Sequence, residues 1–582
     1  MSAPHSLALS YLNALVDDSF PIFKAHRKDF AVENLGWFYL MTQYIHREKS
    51  FWKPYLDTLP RPEAEWTTPL WFDEPADLPW IEGTDVLHTM LGRRKVYEEY
   101  YATGVAALKR GGVDTTPYTW DLYRWAISIS TSRSFSSRSL QPTDSKYWAA
   151  YKTNAQGKRQ VVLLDMSRTP AEDLDFPVLF PAMDAGNHDP EARVDWDFTD
   201  PGRFTVSTND AREPDVEIFN NYGPKGNDEL LLGYGFCIPG NPNDGVIVTP
   251  KPPPSELQLE LKSWQPGWFK DRGMWNGEKC TFRLQRPHNP ARIWSELPAS
   301  LLELLTYIIR HERGLPFVFI DNVNDDLLQS PEGHRYLPHI ARMIVTSLAP
   351  KLQKLQAVDL PPEGPSDAKQ RQAAIYRNGQ LEILQSLIAA LRSFTRSLLK
   401  PASANGPRFV TLEGLLELWG QRAQPQTLLD FVGGIEAVSG TADVSALRQA
   451  GWEDDVLALA VCCIYLSAET IADGGLNESN QWVLEMLPSY IEPAAPNEAT
   501  QDPDALARAE SLLELVATAS QHVDSQTSVW HDSRWSAALI AEVGGKMLQF
   551  ESMPMMVPKP DGRGEEARVV LYVHSLQGEL PS

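Results

Sequence analysis

Two stretches decide how this sequence is interpreted: FPAMDAGNHDP at 180–190 and VEIFNNYGPKGNDELLLGYGF at 216–236. The first is typical of a strand that ends in a turn, where Asp184, Asn187 and His188 are clustered. The second predicts a strand, an Asn-Asn-Tyr-Gly turn, a short Leu-rich helix and a Tyr-Gly-Phe end. Asn and Gly at such ends usually serve only the turn, so either stretch alone favours a plain structural interpretation.

The spacing of apolar residues changes along the chain. Helical and loop patterns fill the first part, and short β-like segments separated by Pro, Gly, Asn and Asp follow at about 160–250. Beyond the KPPP segment at 251–254 the apolar spacing becomes helical, as at Leu301, Leu304 and Ile308. We therefore predict an α+β fold with a small β-rich core.

The composition describes a folded, acidic protein. The 582 residues include 53 Lys and Arg against 76 Asp and Glu, which gives a net charge of −23. A surface of this sign repels nucleic-acid phosphates and favours basic, Lys-containing partners, although solubility alone would also explain it.

Several kinds of site are disfavoured by the motifs that the sequence lacks. The four Cys have no zinc spacing, and neither GxxxxGK[ST] nor HExxH occurs, so we predict no metal site. The start lacks the basic and apolar blocks of a signal peptide, and no apolar run reaches the ~20 residues that cross a bilayer. We expect a protein of the cytoplasm or the nucleus, with no membrane and no direct nucleic-acid partner.

Taken together and in this order, the two opening stretches resemble the second half of the SET domain. Upstream, SFWKPYLDTLP (50–60), TPLWFDEPADL (68–78) and YTWDLYRWA with TSRSF (118–135) resemble that family's inserted helical segment and its return to the core. The branch is that of the Rubisco large-subunit and fungal ribosomal-protein lysine methyltransferases. The resemblance implies a shortened SET start with an inserted helical segment at 1–117 and the SET core at 118–250. It also implies a helical region at 251–582 that resembles the family's substrate-binding region in composition and position.

The resemblance implies a chemistry that needs no metal and no protein nucleophile. S-adenosylmethionine carries a methyl group already activated by its sulfonium, so the protein must deliver a neutral, desolvated amine along one axis. The implied acceptor is a lysine of a non-histone protein, with basic ribosomal proteins favoured. A histidine acceptor is an open alternative.

The resemblance also implies roles for individual residues. Tyr222 is the implied catalytic residue, and its phenol, neutral near pH 7, suits alignment of the amine better than general-base chemistry. The Asn187 side chain and the His188 backbone would hold the cofactor. His188 as a catalytic base is the alternative.

Five further side chains complete the implied site. Arg133 would contact either the cofactor carboxylate or Asp184, and Phe236 would cover the adenine. Trp196 and Tyr234 are candidate walls of the acceptor channel, because aromatic faces suit an alkylammonium stem. Asp184 is a further candidate residue of this channel. The aromatic residues could equally belong to the core.

The start of the chain departs from the family pattern. The first glycine is Gly36, and SLALSYLNAL (6–15) resembles the segment that follows the family's Gly-x-Gly turn. We expect either that the recorded start lies downstream of the true one or that the domain is shortened. A shortened domain leaves a third function open, a catalytically inactive SET-derived module that binds a protein.

Overall fold

The computed structural model describes residues 1–73, 75–140, 146–154, 156–200, 202–209, 213–272, 275–276, 279–400, 407–422, 425–469, 488, 491, 503–523, 525, 528–559 and 563–573. The chain divides into two compact units. The first contains Met1–Val246 and Pro350–Leu384, and the second contains Ile247–Ala349 and Gln385–Ser582. The α+β fold with a large helical C-terminal part is confirmed. The boundaries at 117 and 250 stay predictions.

The first unit is built around a helix that is buried on nearly every side. Val32–Ile45 contains an almost unbroken apolar run, and a helix that is hydrophobic all round belongs in a core. Helix Asp85–Arg110 approaches it at Gly104, where a Cβ would lie 2.1 Å from Phe38 Cε2. The α-helices of this unit are Tyr11–Ala14, Ile22–Ala25, Val32–Ile45, Lys53–Leu56, Asp85–Arg110, Trp120–Arg133 and Asn227–Tyr234.

The residues at 119–135 have apolar side chains at helical spacing, and they form the helix Trp120–Arg133. Its N-terminus is capped by Thr119, whose hydroxyl accepts a hydrogen bond from the Leu122 amide at 3.2 Å. Its C-terminus leads directly into the strand Ser134–Ser136, so Arg133 lies at the entrance to the β-rich core.

Among the described residues of the first unit, strands form three small antiparallel sheets. Arg203–Thr208 lies between Ser2–Pro4 and Val194–Asp197, Ser134–Ser136 pairs with Pro177–Leu179, and Tyr147–Thr153 pairs with Arg159–Asp165. Two of the β-like segments in the region 160–250, QVVLLD at 160–165 and RFTVST at 203–208, therefore lie in strands. VEIFNNY is different, since residues 216–219 form no strand and Asn220 makes an isolated bridge to His188. Val216 and Ile218 are exposed there, so no core face holds them in a sheet.

The second unit is mainly helical. One antiparallel sheet places Glu565–Val573 between Arg408–Val410 and Ser552–Pro558. The α-helices Pro331–Gln356 and Ala368–Ser397 each contain residues of both units. The other described α-helices of this unit are Ser255–Trp264, Trp268–Asp271, Ile293–Glu296, Ala299–Glu312, Val323–Gln329, Leu412–Arg422, Pro425–Ser439, Val444–Gln449, Glu453–Glu469, Pro503–His522, Ala537–Leu539 and Lys546–Glu551. A π-helix lies at Ile540–Gly545. The remaining described strands are Gly245–Val248, Trp275–Asn276, Lys279–Cys280 and Phe282–Gln285.

Within the part of the chain that the structure describes, no helix combines the length and the apolar character needed to cross a membrane.

Candidate functional site

The two decisive stretches lie directly against each other. The Asn220 amide donates to the Asn187 carbonyl at 2.7 Å, and the Asp189 amide donates to the Asn220 carbonyl at 3.0 Å. These bonds form a parallel bridge between His188 and Asn220. The approach depends on Gly186, because a Cβ at this position would lie 3.2 Å from both the amide nitrogen and the Cβ of Asn220. The Asn-His exit (residues 186–189) and the tyrosine turn (residues 220–223) are therefore in direct contact.

Asn221 locks the turn that carries the tyrosine. Its side-chain amide donates to the carbonyls of Pro190 and Ala192, both at 3.1 Å, and its oxygen accepts from the Gly223 amide at 2.9 Å. Gly223 has φ +96°, which favours glycine. The turn is thus held by the chain that follows the Asn-His exit.

Tyr222 is held by its backbone, its hydroxyl and both faces of its ring. Its amide donates to His188 Nδ1 at 3.1 Å, and its hydroxyl donates to the Gly186 carbonyl at 2.9 Å. The ring stacks between His188 and Tyr234, with centroid separations of 4.9 and 4.8 Å. Burial raises the pKa of the Tyr222 phenol. The hydroxyl is therefore a neutral donor near pH 7.

His188 supports this arrangement as a neutral ring. Burial lowers the pKa of His188 and outweighs the Asn220 backbone and the Asp189 carboxylate, which raise it; the Lys225 ammonium makes a small lowering contribution. Because Nδ1 accepts the Tyr222 amide hydrogen, the ring proton of the neutral form lies on Nε2. The Nδ1 atom is thus already engaged in positioning Tyr222.

Asp184 forms a buried polar group with two residues from earlier in the chain. Its side chain is 3% exposed. Tyr55 donates its hydroxyl hydrogen to Asp184 Oδ2 at 2.7 Å, and Arg133 Nη1 lies 3.5 Å from the same oxygen. Burial raises the pKa of Asp184, whereas the hydrogen bonds from Tyr55 and Arg133 lower it. Arg133 is therefore an Asp184 partner here, one of its two expected roles, and Tyr55 is a member that the sequence did not indicate.

The remaining predicted side chains surround the stack at different depths. Phe236 meets Tyr234 in a T-shaped contact at 6.1 Å and lies 6.3 Å from His188. The exposed Asn187 side chain donates to Glu217 Oε1 at 2.7 Å. Trp196 donates from Nε1 to Asn220 Oδ1 at 3.1 Å, which attaches its indole to the tyrosine turn.

Helix Asn227–Tyr234 positions Tyr234 and is anchored at its first residue. The buried Asn227 side chain donates to the Ile238 carbonyl at 2.9 Å and to Asp244 Oδ2 at 3.0 Å, and it accepts from the Ile238 amide at 2.8 Å. These bonds tie the helix start to the chain that follows the helix.

The other end of this helix is anchored from the N-terminal part of the chain. Thr67 donates its hydroxyl hydrogen to the Gly235 carbonyl at 2.7 Å, and Thr68 donates to the Leu232 carbonyl at 2.8 Å. Gly235 has φ +79° and ends the helix. Both ends of the element that presents Tyr234 are therefore fixed.

A groove of about 660 Å³ borders the stack. Its lining includes Tyr222 and Gly223 from the turn, together with Glu191, Asp195 and Trp196 from the chain after the Asn-His exit. Among the described residues, no group of three or more His, Cys, Asp or Glu side chains could hold a metal ion. The arrangement consists of a fixed neutral phenol, a ring stack and an open groove, which suits positioning chemistry.

Comparison with known proteins gives one long match and several shorter ones. The chain is 26% identical to the ribosomal lysine N-methyltransferase set10 of Schizosaccharomyces pombe over 439 residues, which cover 74% of this chain and 70% of the relative. It is 24% identical to the human actin-histidine N-methyltransferase over 253 residues, 42% of this chain and 36% of the relative.

A solved structure of the SET domain of LSMT bound to lysine and AdoHcy aligns with 68% of this chain and 82% of its own, with a TM-score of 0.47 and 15% identity. No family model matches the chain.

Proposed function

The chain belongs to the SET-domain protein methyltransferases, and on that premise we propose that it is an active, S-adenosylmethionine-dependent protein-lysine N-methyltransferase. The observation that carries the proposal is the way Tyr222 is held. Its amide, its hydroxyl and both ring faces are engaged by residues of the Asn-His exit and of helix Asn227–Tyr234. Such rigidity suits a group that must align an amine along one axis.

The residues around the stack fit the cofactor. Asn187 carries an exposed side-chain amide, Arg133 a partly exposed guanidinium, and Phe236 a half-buried ring that can cover an adenine. When bound, S-adenosylmethionine supplies the activated methyl group. On the side of the protein, Asn187 and the His188 backbone hold it, and the buried Asp184 keeps Arg133 oriented.

Tyr222 orients the acceptor in this proposal. Its hydroxyl hydrogen is committed to the Gly186 carbonyl, so its oxygen lone pairs face a lysine amine as acceptors. The raised pKa keeps the phenol neutral, which leaves removal of the proton from the incoming ammonium to solvent. The stacked rings of His188 and Tyr234 exclude water from both faces of the tyrosine.

A basic protein is the proposed substrate, and a ribosomal protein is favoured. The net charge of −23 attracts Lys-rich surfaces, and the long match is to a ribosomal lysine methyltransferase. Transfer to histidine is the second candidate, supported by the shorter match to the actin-histidine enzyme. The greater coverage of the set10 match favours lysine.

The test combines cofactor binding with labelling. Titration calorimetry with S-adenosylmethionine should show saturable binding, and tritiated cofactor should label a protein of a total cell extract on lysine. Tyr222→Phe should lower the labelling rate about a hundred-fold. Tyr101→Phe is a matched control, because it also removes a hydroxyl that donates to a backbone carbonyl, at 2.8 Å.

Each other outcome has a defined meaning. Label on histidine would replace the lysine assignment. A protein that binds no cofactor and labels nothing would be the binding module. Labelling that survives in Tyr222→Phe would refute the catalytic role of this residue.

A further inference from the structure

We infer that the groove beside Tyr222 binds a second, basic side chain of the substrate protein, a lysine or an arginine close in sequence to the modified residue. The inference rests on the proposed function and specifies the substrate class of the same site. It adds a specificity subsite to the position that receives the acceptor.

The groove is continuous with the proposed reaction site. Tyr222 and Gly223 line one part of it, and Trp196 lines another. Trp196 is tied to the tyrosine turn through its bond to Asn220, yet 38% of its surface is exposed. An exposed indole on a groove next to a tyrosine stack is a surface available to a ligand, because large aromatic residues are otherwise mostly buried.

The charges of the lining specify the kind of ligand. Glu191 and Asp195 both line the groove, and no Lys or Arg is among the described residues that line it. Carboxylates together with an indole face form a combination that attracts ammonium and guanidinium groups, through charge and through cation–π contact. An acidic or phosphorylated side chain would be repelled from the same surface.

The groove is also held in shape. Asp195 lies on the strand Val194–Asp197, and its Oδ2 accepts a hydrogen bond from Asn209 at 2.6 Å. The Asn221 side chain is bonded to the carbonyls of Pro190 and Ala192, which flank Glu191. A subsite whose walls are fixed loses little entropy when it binds a side chain.

The expected effect is on substrate affinity. The contact with a flanking side chain is made equally in the ground state and in the transition state, so its loss raises KM and leaves kcat unchanged. For partly exposed charge pairs a rise of about five- to ten-fold is expected for the double variant Glu191→Gln/Asp195→Asn. Loss of Tyr222 acts on kcat, which separates the two roles.

The experiment has two steps. Mass spectrometry of an extract incubated with the full-length protein and deuterated S-adenosylmethionine first identifies the modified lysine. Peptides that span this lysine are then assayed with each neighbouring Lys or Arg replaced by Ala. One of these replacements should raise KM about five- to ten-fold with the wild-type protein and have no effect with Glu191→Gln/Asp195→Asn.

Two controls make the result specific. Glu98→Gln/Glu99→Gln removes the same charge from the exposed face of helix Asp85–Arg110 and should leave KM unchanged. Asp195→Glu keeps the charge and should retain the preference for a basic neighbour.

The outcomes separate this inference from the proposed function. A modified lysine with no basic residue within about four positions, the reach of an extended segment of some 13 Å, would overturn the inference alone. An unchanged KM after every replacement would do the same. A complete lack of methylation in the extract would refute the proposed function, and the subsite with it.

Discussion

Two aromatic clusters of the first unit both contain tyrosines but do different things. The core cluster contains Trp37, Phe38, Tyr118 and Tyr123, all buried, whereas the site stack contains His188, Tyr222 and Tyr234, all partly exposed. In the core cluster the tyrosine hydroxyls form hydrogen bonds with buried partners. Tyr123, for example, donates to Asn34 Oδ1 at 2.7 Å. In the site stack Tyr222 borders a groove. Ring stacking alone therefore does not mark a site, but stacking with exposure and a nearby groove does.

The largest expected effect concerns the core cluster. Phe38 is fully buried and lies within 6.4 Å of the rings of Phe30, Tyr101, Tyr118 and Tyr123. Phe38→Ala should lower the free energy of unfolding by about 3–5 kcal/mol, measured by urea denaturation, and Phe38→Leu should recover most of it. A cost below about 1 kcal/mol would contradict the view of this cluster as the structural centre of the unit.

A pair of tyrosine variants tests whether the two clusters can be separated. Tyr222→Phe should lower the rate of methyl transfer about a hundred-fold, equivalent to ~2.7 kcal/mol, with a loss of stability of about 1 kcal/mol or less. Tyr123→Phe should lower stability by about 1–3 kcal/mol and leave the rate per folded molecule unchanged. Single-turnover rates and urea midpoints for both variants decide the comparison. Equal effects of the two variants on either quantity would remove the distinction.

Removal of the hydrogen bonds that support the helix of Tyr234 should have a smaller effect, on both stability and cofactor affinity. Asn227→Ala removes the three hydrogen bonds that anchor the start of helix Asn227–Tyr234 and leaves the buried Asp244 carboxylate with fewer partners. We expect a loss of about 1–2 kcal/mol in stability and a weaker affinity for S-adenosylmethionine, measured by denaturation and calorimetry. Unchanged cofactor affinity at reduced stability would make Asn227 a structural residue only.

The smallest expected effect is a difference in pH response. Burial lowers the pKa of His188, so its value by NMR should lie below 6.5. Because the folded value is lower than the unfolded one, the native state binds fewer protons, and the contribution of His188 to stability is lost as the pH falls from about 6.5 towards the folded pKa. The ring-current shifts of Tyr222 should change over the same interval, since protonation removes the Nδ1 acceptor. Shifts from Phe38 in the core cluster should not follow this titration.

Local patterns were sufficient for the elements that carry the site. The helix ending at Arg133, the strand Arg203–Thr208 and the turn at Tyr222 all follow from short-range apolar spacing and turn residues. The proximity of Asn187 and Tyr222 followed from the resemblance, which contained the order and spacing of the motifs.

The partners of the site side chains could not be predicted in the same way. Tyr55 contacts Asp184 across 129 residues, and Trp196 reaches Asn220 across 24. Contacts of this kind depend on the path of the chain through space, which apolar periodicity does not encode. The segment before Asn220 shows the same limit, because its alternating pattern predicts a strand but no neighbouring strand pairs with it beyond a single bridge.

The anchoring of the first residues has a consequence for synthesis of the protein. Ser2–Pro4 pairs with Arg203–Thr208, and Leu9 bridges to Leu179. At about 5–20 residues per second, a ribosome needs roughly 10–40 s to make the partner of the first strand. For that interval the nascent chain holds an unsatisfied strand, so we expect this sheet to form only after residues 203–208 have left the ribosome.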